Sequence, residues 1–388
     1  MTASLEKSFG YELIAPVSNV LDALTLLSPA QYLATFALCA VIFVAWLASH
    51  RSTNGAALRC CLRFLGGTVA ILGIMLVVKR PMASLRLADP DELAVDFHSH
   101  TSASHDGRPG FDAEANRRWH SSSGFNVAYI TDHRAVDGAL RASERNPTVA
   151  GNGTVLLPGV ELRDGDEHPI LIGIDPRRMQ ITSPDWREAA VKADGGPAPP
   201  ILFLSLPGNV QRIPQSMTTG MVRVAGVEIS DGCPKGIAQS ARDRAAILTL
   251  AGRLGVPTVS GSDNHGWGRT APAWSVMRIP GWRAMNPARL DAAIRRAIID
   301  GRPSSVRVIG RRTAVGPQGR IGMAFQGVAV GAVMFRTMTL SDRLSWAAWS
   351  WALELSLAGF SRRRRVWRIR VIARRVVRRR RPTVRAAA

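Results

Sequence analysis

Cysteine, histidine and acidic side chains are all scarce in this 388-residue chain. The four cysteines, Cys39, Cys60, Cys61 and Cys233, show no CxxC or metal-finger spacing, which argues against a disulfide framework and against a thiolate metal site. Acidic residues number 29 against 50 basic ones, for a formal charge of +21. That imbalance is local. Thirteen arginines and no acidic residue lie between Ser361 and Ala388, so everything before them carries only +8. The extreme basicity belongs to a tail, and the rest of the chain is moderately basic. Histidines number eight, and it is their placement that makes the sequence informative.

Long apolar runs are confined to the ends. After an N-terminal segment, residues 1–28, Ala30 to Ala48 is uncharged and close to the roughly 20 residues that a spanning helix needs. It starts too far in, and lacks the basic leader, for a cleaved signal peptide. Phe64 to Val78 is shorter and reaches spanning length by including the segment from Ala56, with Arg59 and Arg63 snorkelling toward the interface. Lys79-Arg80-Pro81 closes it with a positive anchor and a helix breaker. Residues 29–80 are thus expected to hold two transmembrane helices.

From about Asp91 to Gly310 the texture is that of an α/β domain. Short apolar runs predict seven strands: Leu93–Phe97, Asn126–Ile130, Thr154–Leu157, Ile170–Ile174, Ile201–Ser205, Val227–Ile229 and Thr258–Ser260. Helices are expected over Phe111–Ser122, Ile237–Leu254 and Pro287–Asp300, the last with Asn286 as N-cap and Gly301 as C-cap. Strands interleaved with helices mean a parallel sheet or a closed β/α barrel. His98, His133, Glu161, Asp263 and His265 each follow a strand candidate, where a barrel gathers its active-site residues.

Six of the eight histidines fall in short motifs beside Asp, Glu and Ser. These are Asp96-Phe97-His98-Ser99-His100, Ser104-His105-Asp106-Gly107, Thr131-Asp132-His133, Gly159-Val160-Glu161 with His168, and Ser262-Asp263-Asn264-His265. Imidazole nitrogens and carboxylate oxygens are the ligands that zinc, manganese or iron take from proteins. His120, beside Trp119 on a helix candidate, and His50, at the end of an apolar stretch, stand outside the set.

The order HxH, TDH, GVE and a late SDxH resembles the PHP family, named for bacterial DNA polymerase and histidinol phosphatase domains. The resemblance covers roughly Asp91 to Gly310. It implies a distorted seven-stranded β/α barrel, two or three divalent metals at its mouth, and hydrolysis of a phosphate ester. On the resemblance, His98, His100, Glu161 and Asp263 surround one metal, and Glu161 bridges to a second that His168 also matches. His105, His133 and His265 complete another position, with His105 where the family usually has aspartate. A histidine-proline pair usual after the fifth strand is replaced by Ser205-Leu206-Pro207-Gly208. Leu206 cannot bind metal, which favours two ions over three. Asp132 is expected to orient a neighbouring imidazole, and Arg134 and Arg269 to engage substrate phosphate.

Residues 311–360 are apolar, and Leu344–Phe360 is expected to be an interfacial helix or a third span. The arginine-rich tail, 361–388, is expected to bind anionic lipid headgroups rather than nucleic acid. The expected location is a membrane, the bacterial inner membrane, with the side of the enzyme domain left open. If Leu344–Phe360 spans, the positive-inside rule separates tail and enzyme; if it lies on the surface, they share a side. Two other functions stay open at this point: metal-dependent hydrolysis of another bond, such as C–N, and a catalytically silent membrane-bound sensor.

Overall fold

The computed structural model describes residues 3–49, 54–77, 79–163, 167–179, 198–206, 222, 224–268, 270–311 and 319–379. All seven expected strands are present: β3 (Glu92–Ser99), β4 (Val127–Ile130), β5 (Val155–Glu161), β6 (His168–Ile172), β7 (Ile201–Ser205), β8 (Val224–Asp231) and β9 (Thr258–Gly261). They belong to a nine-stranded sheet, because β10 (Ala273–Arg278) and β11 (Arg307–Gly310) add to the β3 edge in the order β11-β10-β3-β4-β5-β6-β7-β8-β9. The sheet nearly closes: the Asp263 amide donates to the His98 carbonyl at 2.9 Å and the His100 amide to the Asn264 carbonyl at 3.3 Å.

Two features correct the simplest parallel-barrel expectation. β10 and β11 run antiparallel to their neighbours, and so does β6, which lies antiparallel to both β5 and β7. Among the described residues no helix lies between β5 and β6, as suits an antiparallel pair. The first residue of β6, His168, therefore arrives at the same end of the sheet as the last residue of β5, Glu161.

Leu93, Val95 and Phe97 of β3 join Val127 and Tyr129 of β4, Val155 and Leu157 of β5 and Phe203 of β7 in one apolar core. The Phe97 ring lies 5.6 Å from Tyr129 on the neighbouring β4 and 4.8 Å from Phe203 on β7, four strands away in the sheet order, so these rings fill the barrel interior. After α5 (Ala113–Ser123), α6 (Asp137–Glu144) and α7 (Pro234–Leu254) comes α8 (Pro287–Gly301), whose Leu290, Ile294 and Ile298 pack into the same core. The register shifts between Asp96 and Ser99. Such a bulge re-aims side chains, and here it lets Phe97 and His98 both face inward. Asn286 caps α8 through its side chain, accepting from the Arg289 amide at 2.9 Å, whereas Gly301 is the helix's last residue rather than its cap.

The N-terminal segment packs against the barrel. β1 (Ala3–Lys7) pairs antiparallel with β2 (Ala83–Leu87), and between them lie α1 (Phe9–Leu13), α2 (Ala15–Thr25), α3 (Pro29–Ser49) and α4 (Asn54–Val77). Asp22 of α2 pairs with Arg80 and with Arg311, which follows β11. Helices α9 (Gly319–Ala324) and α10 (Gln326–Arg336) pack against α3, and α10 also against α2.

Among the described residues one helix, α3, is long and apolar enough to cross a membrane, where two were expected; a signal sequence near an N-terminus meets the same description. The second expected span does form a helix, α4, and the Phe43 and Phe64 rings stack 4.9 Å apart between the two. Arg59, Arg63 and four glycines dilute its apolar character. Leu344–Phe360 and the start of the tail are continuous in one 40-residue helix, α11 (Leu340–Arg379), with Trp349, Trp351, Leu353, Leu355 and Leu357 exposed.

Candidate metal centre

Ligand atoms from four strand ends converge at one mouth of the barrel. His98 Nε2 lies 3.1 Å from Glu161 Oε2 and 3.5 Å from Asp263 Oδ1. His100 Nε2 lies 3.2 Å and 3.1 Å from the same two oxygens. Four ligands bonded at about 2.0–2.1 Å around a tetrahedral zinc stand about 3.3–3.4 Å apart, so these spacings match the edges of a coordination shell. His100 Nε2 and Asp263 Oδ1 are both buried without a hydrogen-bond partner among the described residues, close to each other but not aligned for a hydrogen bond. Buried polar atoms left unmatched are costly. A cation between them satisfies both.

Neighbouring side chains fix which imidazole nitrogen points inward. Ser104 Oγ donates to Asp132 Oδ1 at 3.2 Å and lies 3.0 Å from His100 Nδ1. A hydroxyl has one proton to give, so His100 Nδ1 must be the donor to Ser104, leaving the Nε2 lone pair free. Asp132 therefore acts on an imidazole through Ser104, and it also accepts from the Thr101 amide and hydroxyl. Glu228 does the same for His98 directly, with Oε1 3.3 Å from Nδ1, and is itself held by the Ser205 hydroxyl at 2.7 Å. Gly261 is required beneath this pair: a Cβ there would sit 2.1 Å from Glu228 Oε1 and 2.4 Å from His98 Cβ.

A second group adjoins the first. Glu161 Oε2 also lies 3.0 Å from His133 Nδ1, while its Oε1 lies 2.7 Å from His168 Nδ1. His133 and His265 bring their Nε2 atoms within 3.3 Å of each other, and Asp106 approaches them at 3.5 Å and 3.2 Å. His98, His100 and Glu161 form one set whose ligand atoms are close enough to hold a metal ion, and His133, Glu161 and His168 form another. His105 stands at the rim, its side chain 79% exposed and its Nδ1 3.9 Å from Asp106. Arg134 is exposed next to His133, and Arg269 lies outside the described residues. Among the described residues the non-glycine residues with positive φ are Arg134, Leu206 and Asp263, and all three follow strand ends at this mouth. Backbone strain of this kind concentrates at functional sites.

Sequence reasoning passed over Asp106, Ser104 and Glu228. Asp106 neighbours the histidine assigned to that slot, and Glu228 lies inside strand β8, outside the histidine motifs. His120, set aside as packing, is fully buried with Nε2 2.7 Å from Asp96 Oδ2, and Asp96 Oδ1 accepts from the His98 and Ser262 amides. It braces the strands that carry the ligands.

No protein-family model matches the chain, and no curated protein matches it in sequence. Solved structures with partial likeness include PsfC from Pseudomonas syringae, 15% identical over 64% of this chain and 100% of that one, with a TM-score of 0.40. Another is a two-domain protein from Bacteroides vulgatus described as containing a predicted PHP-like metal-dependent phosphoesterase (15% identity, 64% and 74% covered, TM-score 0.38). A third is an amidohydrolase from Chromobacterium violaceum with bound sulfate and no metal (16% identity, 56% and 97% covered, TM-score 0.29). At such scores the likeness carries no weight of its own; the residues must.

Their electrostatics are those of a site built for positive charge. Burial opposes the His98 imidazolium, yet Asp263, Glu228 and Glu161 hold the ring well above its ordinary pKa. His100 is raised to about 9, burial again opposing while Asp263 and Glu161 favour the charged form. Glu161 and Asp263 move the other way: burial works against their charge, but the facing histidines hold both below the usual carboxylate range. A raised histidine pKa stabilises the fold fully below the unfolded value near 6.5 and loses that contribution as pH rises through the folded value. The depressed carboxylates act only on the acid side, losing theirs as pH falls below about 4. The thermal midpoint of the metal-free protein should therefore fall between pH 6.5 and 9. Saturating divalent metal, which needs unprotonated rings, should flatten or reverse the slope. A metal-free midpoint that climbs across that window would show that the rings are neutral.

Proposed function

We propose that this chain is a membrane-attached, metal-dependent phosphoesterase. The observation that carries the reading is the convergence of His98, His100, Glu161 and Asp263 on one point, with two of their atoms buried and unmatched. These four residues would hold one divalent ion. His133 and His168 would hold a second shared through Glu161, with His265 and Asp106 beside the other nitrogen of His133 and His105 a further imidazole at the rim. Leu206, buried and without a side-chain ligand, fits two ions rather than three. Bound divalent ions neutralise phosphate charge and promote ionisation of water near neutral pH.

The chain's own residues set the stage for that chemistry. Ser104 and Asp132 hold the His100 tautomer, and Glu228 holds that of His98, so both Nε2 atoms face the reacting space. Glu161, nearly buried, orders both halves of the centre. Arg134, exposed at the rim, and Arg269 offer guanidinium groups to substrate phosphate. In the reaction, water oxygen bonds to phosphorus, the ester P–O bond breaks, and the alcohol departs with one of the water's protons. The α3 helix supports membrane attachment, and the arginine-rich tail binds anionic headgroups.

The full-length chain, purified in detergent, should carry divalent metal and hydrolyse p-nitrophenyl phosphate or its bis-ester. Chelation should abolish the activity, and added Zn, Mn or Fe should restore it. Cleavage of amides with none of phosphate esters would assign the centre to C–N hydrolysis instead. Bound metal without turnover of either would make it a sensor.

A further inference from the structure

We infer that the substrate is an amphiphile, a phosphate ester whose organic part is a long apolar chain; this rests on the phosphoesterase reading and adds the substrate class. A cavity of about 440 Å³ opens beside the centre, within the roughly 300–1,000 Å³ of small-molecule sites. Asp106, Asp263 and His265 line its reacting end. Away from them the lining is mostly carbon. Leu27 and Trp119, only 2% and 6% exposed, form part of its wall, and Trp267, 46% exposed, stands at its opening. A polar organic group such as a nucleoside or sugar would lose its water here and find few partners in return.

The cavity's position gives the second strand of the argument. Leu27 lies in the α2–α3 junction and Tyr32 in the first turn of α3, the one helix among the described residues suited to a membrane. The space therefore runs from the metal ligands to the foot of the candidate span. An ester anchored in the bilayer surface reaches the centre headgroup first, its chain lying along Trp267, Tyr32 and Leu27. Arg108 holds its guanidinium 5.4 Å from the Trp267 ring, placing positive charge at the rim where an anionic headgroup passes.

The test uses the full-length chain in phosphatidylcholine vesicles and a series of n-alkyl phosphates from ethyl to octyl, read as released phosphate. Burial of each methylene should raise kcat/KM about fourfold. Trp267→Ala should lower the octyl-to-ethyl ratio about tenfold, and Trp267→Phe should restore most of it. Partition of the esters into vesicles is the same for every variant, so the change in ratio reports the cavity. Equal hydrolysis of all chain lengths overturns the amphiphile assignment while leaving the phosphoesterase standing. An octyl-to-ethyl ratio that Trp267→Ala leaves untouched also overturns it. Hydrolysis of no member removes the phosphoesterase reading and this inference together.

Discussion

Replacing His98 and His100 together with alanine should strip the protein of its metal and cut phosphate-ester hydrolysis by about 10³-fold or more, some 4 kcal/mol of lost transition-state stabilisation. The two rings supply half of the four ligand atoms that converge at 3.1–3.5 Å. Their loss leaves buried Glu161 with His133 and His168 alone, and buried Asp263 with His265 alone, as facing histidines. Both should then shift upward, because fewer histidines offset the desolvation that opposes the ionised form. Metal content by atomic spectroscopy and initial rates on p-nitrophenyl phosphate give the two readouts. A double variant that keeps full activity without metal would end the metal-hydrolase reading. Glu228→Gln should act more mildly, about 10- to 100-fold on metal affinity, because it alters the partner of a ligand and not a ligand.

The contrast between those variants shows which parts of the site the sequence could reveal. His98, His100, His133, Glu161, Asp263 and His265 lie at strand ends, so period, motif and position pointed together. Asp106 was obscured because two adjacent residues in Ser104-His105-Asp106-Gly107 can both ligate, and only the turn decides which side chain enters. Gly107 sets that turn: a Cβ on it would meet the Thr101 carbonyl oxygen at 2.2 Å. Glu228 carries no local signal, since its role depends on the sheet closing from β9 onto β3, which brings β8 within reach of His98. The strands beyond the motif region, β10 and β11, were missed for a related reason. β10 pairs with β3 across more than 170 residues of sequence, β11 joins the sheet only through β10, and the run Ala273–Arg278 lacks clear alternation. Apolar content alone also overstated the membrane part, as α4 shows.

Replacing Asp22 with asparagine should cost about 3–5 kcal/mol of stability, the effect expected when one partner of a buried ion cluster loses its charge. Nothing in the sequence marked Asp22, which sits in the segment before the first apolar stretch. In the folded chain its side chain is 7% exposed and accepts from Tyr11 Oη at 2.9 Å, Thr270 Oγ1 at 2.9 Å and an Arg311 guanidinium nitrogen at 2.8 Å, while pairing with Arg80. Burial opposes its charge, but Arg311 and Arg80 hold its carboxyl below the usual range, and the same burial with Asp22 nearby pushes the Tyr11 phenol up. Asparagine keeps the shape and removes the charge, leaving two guanidinium groups desolvated against a neutral amide. Tyr11→Phe, which deletes one hydrogen bond and no charge, should cost only about 1 kcal/mol. Denaturant midpoints of the two variants in one detergent give the comparison; similar small losses would mean that water reaches Arg80 and Arg311. The cluster matters beyond stability. Thr25 donates to Thr270 at 2.9 Å in the same network, and both residues line the cavity beside the metal ligands. Asp22 thus fastens the foot of α3 to the barrel mouth. Its asparagine variant should lose selectivity for long-chain esters before it loses turnover of short ones, because the ligands sit on strands that this network does not touch.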